Sequence, residues 1–373
     1  MPRQIHVGLI GCGNISEAYF AGCRRYDILK LSACADLDPA RARAKAAQHG
    51  VRALTVDELL ADPDIAIVIN LTIPRAHAPL NARILRAGKH AYTEKPFALD
   101  AAESRRVLAL AKRRKLLVGS APDTFLGGGI QTARQLLDDG VIGRPVAATA
   151  FMTCRGHESW HPAPEFYYQP GGGPMFDMGP YYITALVNLL GPVRRVSGTA
   201  KASFPTRLIT SQPLHGKVVK VKVPTHYSAT LDFANGAVAT VVMSFDTWPV
   251  PDQPPIVLYG SEGTMLVPDP NTFAGPVRIR RGADKNYEAM PLTHSDQRLR
   301  GTGVADMAYS LLRRRRPHRC SGELAHHVIE VMAAVEKSSR SGRHIRIAST
   351  VPATRSSPSI RSRRALPEGG DLS

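Results

Sequence analysis

The chain lacks most of the features that mark secreted, metal-binding or membrane-spanning proteins. It has only 5 cysteines, and no two of them form a C-x-x-C pair. This odd number and wide spacing fit neither a disulfide framework nor a zinc site, so we expect no metal ion and a cytoplasmic location. No apolar run approaches the roughly 18 to 20 residues that a membrane helix needs, and no signal peptide is evident, so we expect no membrane partner.

The chain also has few acidic residues: it contains 31 aspartates and glutamates and 48 lysines and arginines. Its formal net charge is therefore +17. A charge of this sign could attract nucleic acid. The basic runs at 112–115, 313–316 and 355–364 are, however, not interleaved with the aromatic residues that a single-strand binding platform uses. We therefore expect no nucleic-acid partner, and we attribute the charge to solvated helix ends and to an attraction for anionic ligands.

The first 121 residues alternate short apolar runs with helical patterns. Ile65–Leu71 is a strong strand candidate because it is rich in β-branched residues. Asp38-Pro39 predicts the start of a helix, and Gly50 predicts its end. Strands that alternate with helices at this spacing indicate βαβ units, so residues 1–121 are predicted to form a Rossmann domain with a parallel sheet. Further strands are predicted at Ile5–Ile10, Leu31–Ala35, Ala91–Thr93 and Leu116–Ser120, and further helices at Asn14–Tyr26, Arg75–Ala87 and Asp100–Arg114.

The pattern changes after position 145. His226–Phe233 alternates polar and apolar residues, Asn235-Gly236 supplies a hairpin turn, and Ala237–Phe245 follows as the returning strand. Residues 122–347 are therefore predicted to form an α+β domain with an open, mainly antiparallel sheet. The remaining residues, 348–373, are rich in Ser, Pro and Arg and are predicted to be a disordered basic tail. Further elements of the second domain are predicted as strands at Val218–Val223, Ile256–Tyr259 and Thr264–Val267 and a helix at Ser321–Ser338.

The motif Gly11-Cys12-Gly13-Asn14-Ile15-Ser16 lies directly between the first strand and the first helix. Gly11 permits a tight turn, and Gly13 omits the side chain that would block a pyrophosphate. The helix that follows, entered through Asn14 and Ile15, points its N–H groups at the phosphates. Ser16 stands where a third glycine is usual, and a small residue there still allows close packing of helix on strand. Glycine turns after strands are common, but this position at the first βα junction favours dinucleotide binding.

Asp36 lies at the carboxyl end of the second predicted strand. A carboxylate there can accept hydrogen bonds from the adenosine ribose hydroxyls and would repel a 2′-phosphate, which favours NAD over NADP. The alternative is that Asp36 is only an acid near a helix start, since Asp38 lies close by. Arg41 and Arg43 are near enough to keep NADP possible.

Glu94-Lys95-Pro96 stands at the end of a predicted strand. A lysine at a strand end beside a ligand can hydrogen-bond a substrate oxygen and stabilise developing alkoxide charge. A Lys-Pro pair on its own is more often a surface turn. This motif therefore indicates a ligand site only in combination with the other motifs of the chain.

The segment 171–182 begins with three glycines and contains Asp177 and Tyr181. If the residues from about 176 onward are helical, these two side chains are four positions apart and share one face. An acid and a phenol on one face could meet a substrate hydroxyl. The alternative is a loop followed by an amphipathic helix with buried tyrosines.

These four segments, in this order, resemble the glucose–fructose oxidoreductase and inositol dehydrogenase family, often called Gfo/Idh/MocA. The resemblance covers nearly the whole chain to about Ile347 and is most specific over 7–16, 67–99 and 171–190. It implies a Rossmann domain that binds NAD or NADP, followed by an α+β domain whose sheet often forms oligomer contacts. We therefore expect a homo-oligomer, a dimer or a tetramer, and we expect the helix at 321–338 to pack back on the first domain.

The resemblance also implies roles for residues of the first domain. The family's Glu-Lys-Pro lysine falls on Lys95, which would bind substrate near the nicotinamide, and the bond to the following proline is commonly cis. Thr72, Pro74 and His77 match the segment that lines the nicotinamide side. Glu94 matches a contact to a ribose of the cofactor.

The chain departs from the family at one place. Inositol-type members carry Asp-x-Gly-x-His-x-x-Asp, with the histidine as acid/base, whereas this chain has Tyr181 at the histidine position and Thr184 at the last acid. This difference counts against inositol oxidation. The chain resembles instead the glucose–fructose oxidoreductase and dimeric dihydrodiol dehydrogenase branches, where a tyrosine stands at this place.

The resulting hypothesis is reversible hydride transfer between the nicotinamide and a secondary alcohol or carbonyl of a sugar or related polyol. Tyr181 would exchange the hydroxyl proton; a phenol has a pKa of about 10, which a charged Lys95 nearby would lower. Asp177 would orient the substrate or Lys95. Trp160 and His161 are candidates to stack on and hydrogen-bond a sugar ring, although direct proton transfer by His161 and simple packing of both residues stay open.

Two alternatives accompany this hypothesis. Some proteins of this fold bind the dinucleotide without catalysis and act as sensors or regulators, although the three residues Lys95, Asp177 and Tyr181 together argue against that role. The other alternative is oxidation of a trans-dihydrodiol instead of a sugar.

Overall fold

The computed structural model describes residues 4–312 and 316–352, which fall into two compact units. The first unit comprises residues 4–128 together with the described part of 293–329, and the second comprises 129–292 and 330–352. The predicted tail from position 353 onward and most of the basic run at 313–316 lie outside the described residues. Among the helices that are described, none is long and apolar enough to cross a membrane.

The first unit contains a six-stranded sheet whose strands alternate with helices. The elements are β1 (Ile5–Ile10), α1 (Ser16–Cys23), β2 (Leu29–Ala35), α2 (Pro39–His49), β3 (Arg52–Ala53), α3 (Val56–Ala61), β4 (Ile65–Asn70), α4 (Pro74–Arg86), β5 (His90–Thr93), α5 (Ala101–Arg114) and β6 (Val118–Ser120). The strand order is β3-β2-β1-β4-β5-β6, and every pairing is parallel. This order is that of a doubly wound Rossmann sheet, so the predicted fold of this part is confirmed.

Capping residues set the helix ends that the sequence predicted. The Asp38 carboxylate accepts a hydrogen bond from the Ala40 N–H at 2.9 Å, and Gly50 ends α2 in the left-handed conformation, with φ of 61°. Helix α1 is shorter than the predicted Asn14–Tyr26. It begins only at Ser16 and ends at Cys23, after which the chain continues in tighter turns, with the Tyr26 N–H donating to the Cys23 carbonyl.

Two short elements, β3 and α3, were not predicted from the sequence. Strand β3 has only two residues, which is too short to show a period. Helix α3 does carry a readable signal: the Thr55 side chain accepts from the Glu58 N–H, and the Glu58 carboxylate accepts from the Thr55 N–H. This reciprocal pair is a capping box, which the sequence Thr-x-x-Glu indicates.

The second unit contains a nine-stranded sheet with helices α6 to α8 and the end of α10. Its strand order is β16-β15-β14-β13-β7-β12-β11-β8-β17; β7 and β12 run parallel and the other pairings are antiparallel. The open, mainly antiparallel sheet is thus confirmed. The remaining elements of the chain are α6 (Gly128–Asp138), β7 (Pro145–Thr153), α7 (Gly173–Asp177), α8 (Gly179–Leu190), β8 (Val193–Lys201), β9 (Thr206–Leu208), β10 (Val218–Lys220), β11 (His226–Phe233), β12 (Val238–Ser244), β13 (Ile256–Gly260), β14 (Gly263–Val267), β15 (Val277–Arg281), β16 (Glu288–Met290), α9 (Thr302–Leu312), α10 (Gly322–Ser341) and β17 (Ile345–Arg346).

One predicted strand lies in a different sheet from the one expected. Val218–Val223 was expected in the main sheet, but only its first three residues form β10, which pairs with β9 in a separate two-stranded sheet. Its alternating lysines fit a small exposed hairpin as well as they fit the edge of a large sheet. Strands β7 and β8 of the main sheet had no predicted counterpart.

Helices α8 and α10 contribute to the core of the second unit. All twelve residues of α8 are buried. The far end of α10 is tied to the sheet, because the Gly198 N–H donates to the Ser338 hydroxyl at 3.1 Å and the Tyr227 hydroxyl donates to Glu336 at 2.8 Å. The side chains of β11 and β12 that share the buried face are correspondingly apolar, as in Leu231 and Ala239.

The first unit is completed by the returning segment that contains α9. Asp123 anchors this return: it is fully buried, and one of its oxygens accepts from the Gly301 N–H at 2.8 Å and the Gly303 N–H at 3.0 Å. Burial raises the pKa of Asp123 to about 6, although the two N–H groups favour the ionised form. The carboxyl group therefore titrates inside the folded protein near neutral pH.

Candidate active site

The glycine motif forms a loop that leaves room for a ligand. Gly11 has φ of +104°, and a Cβ there would lie 2.7 Å from the Leu71 carbonyl, so only glycine fits. A Cβ on Gly13 would meet no atom within 4 Å, so this position faces open space. Ser16 closes the loop by donating from its hydroxyl to the Gly13 carbonyl at 2.7 Å. The loop and the amino end of α1 therefore fit a pyrophosphate, with Asn14 exposed and Ile15 half-buried beside it.

Asp36 is fixed at the end of β2 and directed to this loop. One carboxylate oxygen accepts from the Cys12 N–H at 2.7 Å, and the other accepts from the Asp38 N–H at 2.9 Å. Asp38 is the N-cap of α2, whereas Asp36 lies two positions before it and accepts from its N–H. A carboxylate has about four acceptor positions, so two remain for ribose hydroxyls. Arg41 lies 3.9 Å from Asp36 and is mostly exposed.

Two exposed apolar side chains at the carboxyl edge of this sheet were missed from the sequence. Leu37, which follows Asp36, is 95% exposed, and Ile73 is 52% exposed in the loop after β4. Both stand just past the carboxyl ends of parallel strands, where ligands of this fold bind. A readable signal was present, because each is an apolar residue directly beside a predicted cofactor residue.

The loop after β4 is held by two buried side chains. His77 is 1% exposed, and its ring nitrogens face the Pro96 carbonyl at 2.7 Å and the Thr72 carbonyl at 2.9 Å. Burial lowers the pKa of His77, while the two carbonyls favour its charged form. Asn70, which the sequence did not single out, accepts from the Thr72 hydroxyl at 2.7 Å and donates to the His77 carbonyl at 3.1 Å. His77 therefore supports this loop from inside, whereas Pro74 is exposed on it.

Glu94 fixes the turn that carries Lys95. The carboxylate accepts from the Tyr19 hydroxyl at 2.8 Å and from the Lys95 N–H at 3.0 Å, and Arg300 lies 4.0 Å away. The Lys95–Pro96 peptide bond is cis, and Lys95 is half-buried. The lysine thus projects from a rigid turn at the end of β5, on the carboxyl edge of the same sheet as the glycine loop and Asp36.

In the second unit, the expected helix through Asp177 and Tyr181 is interrupted. Helix α7 ends at Asp177, α8 begins at Gly179, and Met178 between them has φ of −109°. The continuous helix from about residue 176, which was the condition for the two side chains to share one face, is therefore not formed. Glycine and proline at 179 and 180 start a new helix, because proline is favoured in a first turn. The Asp177 side chain is 20% exposed, and Tyr181 is buried at 4% exposure.

Residues 157–168, which we call the aromatic segment, surround His161 with rings. The His161 ring lies edge-on to Trp160 at 5.4 Å, Phe166 at 5.4 Å and Tyr167 at 5.5 Å. Trp160 itself is 61% exposed, which leaves its surface available to a ligand.

The tautomer of His161 follows from its hydrogen bond. The Ala163 N–H donates to its Nδ1 at 3.0 Å, so in the neutral ring the proton is on Nε2. Burial, and then the neighbouring His157, lower the pKa of His161. The neutral ring offers an N–H donor from Nε2, which suits hydrogen bonding to a substrate oxygen better than removal of a proton.

A second histidine of this segment, His157, escaped the sequence analysis. It is buried, and its Nε2 lies 3.7 Å from the Asp177 carboxylate. Its ring contacts Tyr167 at 4.0 Å and Phe245 at 4.6 Å. This contact is hard to predict, because 20 positions separate the two residues and neither spacing nor a motif links them.

Two models of one protein family match the chain. Residues 5–121 match the model described as "Oxidoreductase family, NAD-binding Rossmann fold", and residues 130–266 match the "GFO/IDH/MocA C-terminal domain". Together these ranges cover more than half of the chain, including the whole six-stranded sheet and most strands of the nine-stranded sheet.

Individual relatives agree with this assignment. Inositol 2-dehydrogenase from Rhizobium meliloti is 32% identical over 201 residues, which are 53% of this chain and 58% of that protein. The chain spans about half the length of the curated relatives it matches.

Solved structures share the fold at lower identity. Aldose–aldose oxidoreductase from Caulobacter crescentus has a TM-score of 0.75 at 19% identity, covering 92% of this chain and 100% of that one. An NAD binding oxidoreductase from Klebsiella pneumoniae has a TM-score of 0.77 at 21% identity, covering 92% and 99%. The two family models, supported by these likenesses, show that the chain belongs to the Gfo/Idh/MocA family of oxidoreductases, whose first domain is an NAD-binding Rossmann fold.

Proposed function

We propose that the protein is an NAD-dependent dehydrogenase or reductase that acts on a secondary alcohol or carbonyl of a sugar or related polyol. The observation that carries the proposal is the carboxyl edge of the parallel sheet. The open glycine loop, the fixed Asp36 carboxylate and the Lys95 turn all stand at strand ends along this edge. Dinucleotides bind at this edge in sheets of this order.

The residues present fit NAD. Gly13 leaves space for the pyrophosphate, Asp36 retains acceptor positions for the adenosine ribose, and Leu37 and Ile73 offer apolar surface for the adenine. When bound, NAD supplies the site that accepts or donates a hydride. The Asp36 carboxylate disfavours a 2′-phosphate, so we propose NAD over NADP, with Arg41 as the residue that would allow NADP.

Three side chains would handle the reacting oxygen. The Lys95 ammonium would donate a hydrogen bond to it and stabilise negative charge as it develops. Tyr181 would take or return the hydroxyl proton, and Asp177 would orient the substrate hydroxyl or Lys95. Thr72, Pro74, His77 and Glu94 would shape and support the nicotinamide side.

The aromatic segment supports a sugar or polyol as the substrate class. Trp160 is exposed and can stack on the apolar face of a sugar ring, and His161 offers its Nε2–H to a ring hydroxyl. The relative from Rhizobium meliloti is named as an inositol dehydrogenase. Tyr181 and Thr184 replace the histidine and acid of inositol-type members, so we propose a sugar or other polyol before an inositol.

The test is a substrate panel with a variant of Lys95. Sugars, inositols and trans-dihydrodiols are offered with NAD and with NADP, and the absorbance of the reduced cofactor is followed. We expect turnover with NAD on a sugar-type substrate, and a loss of about 10²–10³-fold in kcat for Lys95→Met because a donor to the developing alkoxide is removed. Lys112→Met, on the exposed end of α5, is the matched control and should keep its rate.

Measuring NAD binding together with turnover distinguishes the proposed enzyme from the sensor role and from a dihydrodiol dehydrogenase. If the protein binds NAD tightly, by quenching of cofactor fluorescence or by calorimetry, but turns over none of the panel, the sensor role is correct and the proposal fails. Turnover confined to the trans-dihydrodiols would replace the sugar by that substrate class. Lys95→Met that still turns over at the wild-type rate would remove Lys95 from the reaction.

A further inference from the structure

We infer that His157 is a positioning residue that holds the Asp177 carboxylate in its working orientation; this inference rests on the proposed function. His157 is 8% exposed, and its Nε2 is shielded from water without a hydrogen-bond partner within 3.5 Å. The nearest carboxylate oxygen is Oδ2 of Asp177, at 3.7 Å. A buried nitrogen directed at a carboxylate indicates a specific pairing.

The orientation of the His157 ring is set by its neighbours. Tyr167 lies 4.0 Å from it between ring centroids, Phe245 lies 4.6 Å away, and Trp160 lies edge-on at 5.3 Å. Phe245 is itself fully buried, so the ring cannot rotate without repacking the core beside it. The direction of Nε2 is therefore fixed before any substrate binds.

Hydrogen bonding determines which tautomer of His157 suits the Asp177 carboxylate. An ionised carboxylate only accepts hydrogen bonds, so a bare lone pair on Nε2 would repel it. The proposed pairing therefore requires the proton of the neutral His157 ring on Nε2, so that His157 is the donor. Leaving such a buried donor without an acceptor costs about 1–3 kcal/mol, which favours closing the present gap.

A small shift of the Asp177 carboxylate would be enough to close that gap. Asp177 is the last residue of α7, next to the interruption at Met178, and its side chain is 20% exposed. A shift of less than about 1 Å would bring Oδ2 into hydrogen-bond range, and catalytic hydrogen bonds commonly shorten in this way when a substrate binds. Burial and then His157 lower the pKa of His161, whereas Asp177 raises it.

Two variants of His157 distinguish the effect of its hydrogen-bond donor from the effect of its ring packing. His157→Phe keeps an aromatic ring and removes the donor, whereas His157→Gln keeps an amide donor near the position of Nε2. We expect His157→Phe to lower kcat about 10- to 100-fold through misplacement of Asp177, with little change in KM or NAD affinity, and His157→Gln to recover part of the loss. Two equally inactive variants with normal NAD binding would show that packing alone matters and would overturn the inference.

A double-mutant cycle tests whether His157 acts through Asp177. The variant with both His157→Phe and Asp177→Asn should be no slower than Asp177→Asn alone, because the second change removes what the first one positions. Multiplicative losses would refute the inference. His49→Phe is the matched control: His49 also lies against a carboxylate, Glu17 at 3.1 Å, and stacks on Phe20, and its variant should keep the rate within about twofold.

A spectroscopic readout keeps this test independent of turnover. The ring ¹⁵N signals of His157 should move when Asp177→Asn is introduced, while those of His49 stay in place. Unchanged His157 signals would exclude the pairing, even in a protein with full activity. If no substrate of the panel is turned over but the signals do move, the proposed function fails while the pairing stands.

Discussion

We expect the buried carboxyl group of Asp123 to make the stability of the protein depend on pH. Its folded pKa of about 6 lies above the ordinary value of 3.8, mainly because it is buried. A raised pKa stabilises the fold fully below the unfolded pKa, and this contribution is lost as the pH rises through about 6. We expect Asp123→Asn, which keeps an acceptor for the Gly301 and Gly303 N–H groups, to lack this contribution.

The measurement is urea unfolding of both proteins at about pH 5 and about pH 8. Relative to the wild type, Asp123→Asn should gain about 1 kcal/mol in unfolding free energy as the pH is raised across this window. A stability difference between the two proteins that does not change with pH would show that Asp123 stays ionised throughout.

Single residues also show where sequence reasoning ends. Gly11, Gly13 and Asp36 could be placed because a strand end, a turn and a helix start fix their positions locally. His157 could not, because its partner Asp177 is brought to it by tertiary packing. The break at Met178 was missed for another reason: glycine and proline there are compatible both with a loop and with a new helix start.

Among the elements, the β9–β10 hairpin depends on one buried cation. Arg207, in β9, has a side chain that is 4% exposed and pairs with Glu158 at 3.1 Å and with Asp246. It therefore ties the hairpin to the aromatic segment and to the residues that follow β12. Arg207→Met would leave two buried carboxylates without their cation, so we expect a loss of about 3–5 kcal/mol in unfolding free energy.

The control for this prediction is an ion pair at the surface. Arg195 pairs with Asp232 at 2.5 Å but is 56% exposed, so Arg195→Met should cost less than about 1 kcal/mol. Thermal and urea unfolding of the two variants provide the comparison. Equal losses would mean that the Arg207 pairs are solvated like those of Arg195.

The elements whose ends carry a clear local signal, such as a capping residue, were the ones that the sequence predicted. Helices α2 and α5 were placed correctly because Asp38 and Asp100 cap them through their own side chains. Strand β7 lies in the middle of the main sheet, yet its sequence was not recognised, because small residues such as Ala147 and Ala148 give little contrast between its faces. Its place depends on pairing with β12 and β13, which are distant in sequence.

For the whole molecule, the alternation of strands and helices predicted the parallel sheet, and the hairpin pattern around Asn235-Gly236 predicted the mainly antiparallel one. The return of residues 293–329 to the first unit could not be derived from periodicity, because it depends on contacts such as those of Asp123 with the backbone around Gly301. The resemblance to the family gave a different expectation, that the helix at 321–338 packs back on the first domain; of the corresponding α10, only the part up to Ile329 belongs to the first unit.

One face of the nine-stranded sheet, opposite to the buried one, has the character expected of a contact between copies of the chain. Strands β7 and β12 contain no charged residue, and on the face opposite to Ala239 and Val241 they carry Phe151, Thr240 and Val242. Thr240 is exposed, and the other two are half-buried. An uncharged, partly apolar sheet face of this kind suits a contact with a second copy, so we propose that the homo-oligomer forms through it.

A charge placed on this face should break the assembly. Val242→Lys would bury an ammonium without a partner at each copy of a symmetric contact, and we expect it to weaken self-association more than about tenfold while the fold is kept. Light scattering after gel filtration should give a multiple of 40.4 kDa for the wild type and a single chain for the variant. Thr206→Lys, on an exposed position of the separate hairpin, is the control and should assemble normally. A wild type that elutes as a single chain, or a Val242→Lys protein with unchanged mass, would show that this face is not the contact.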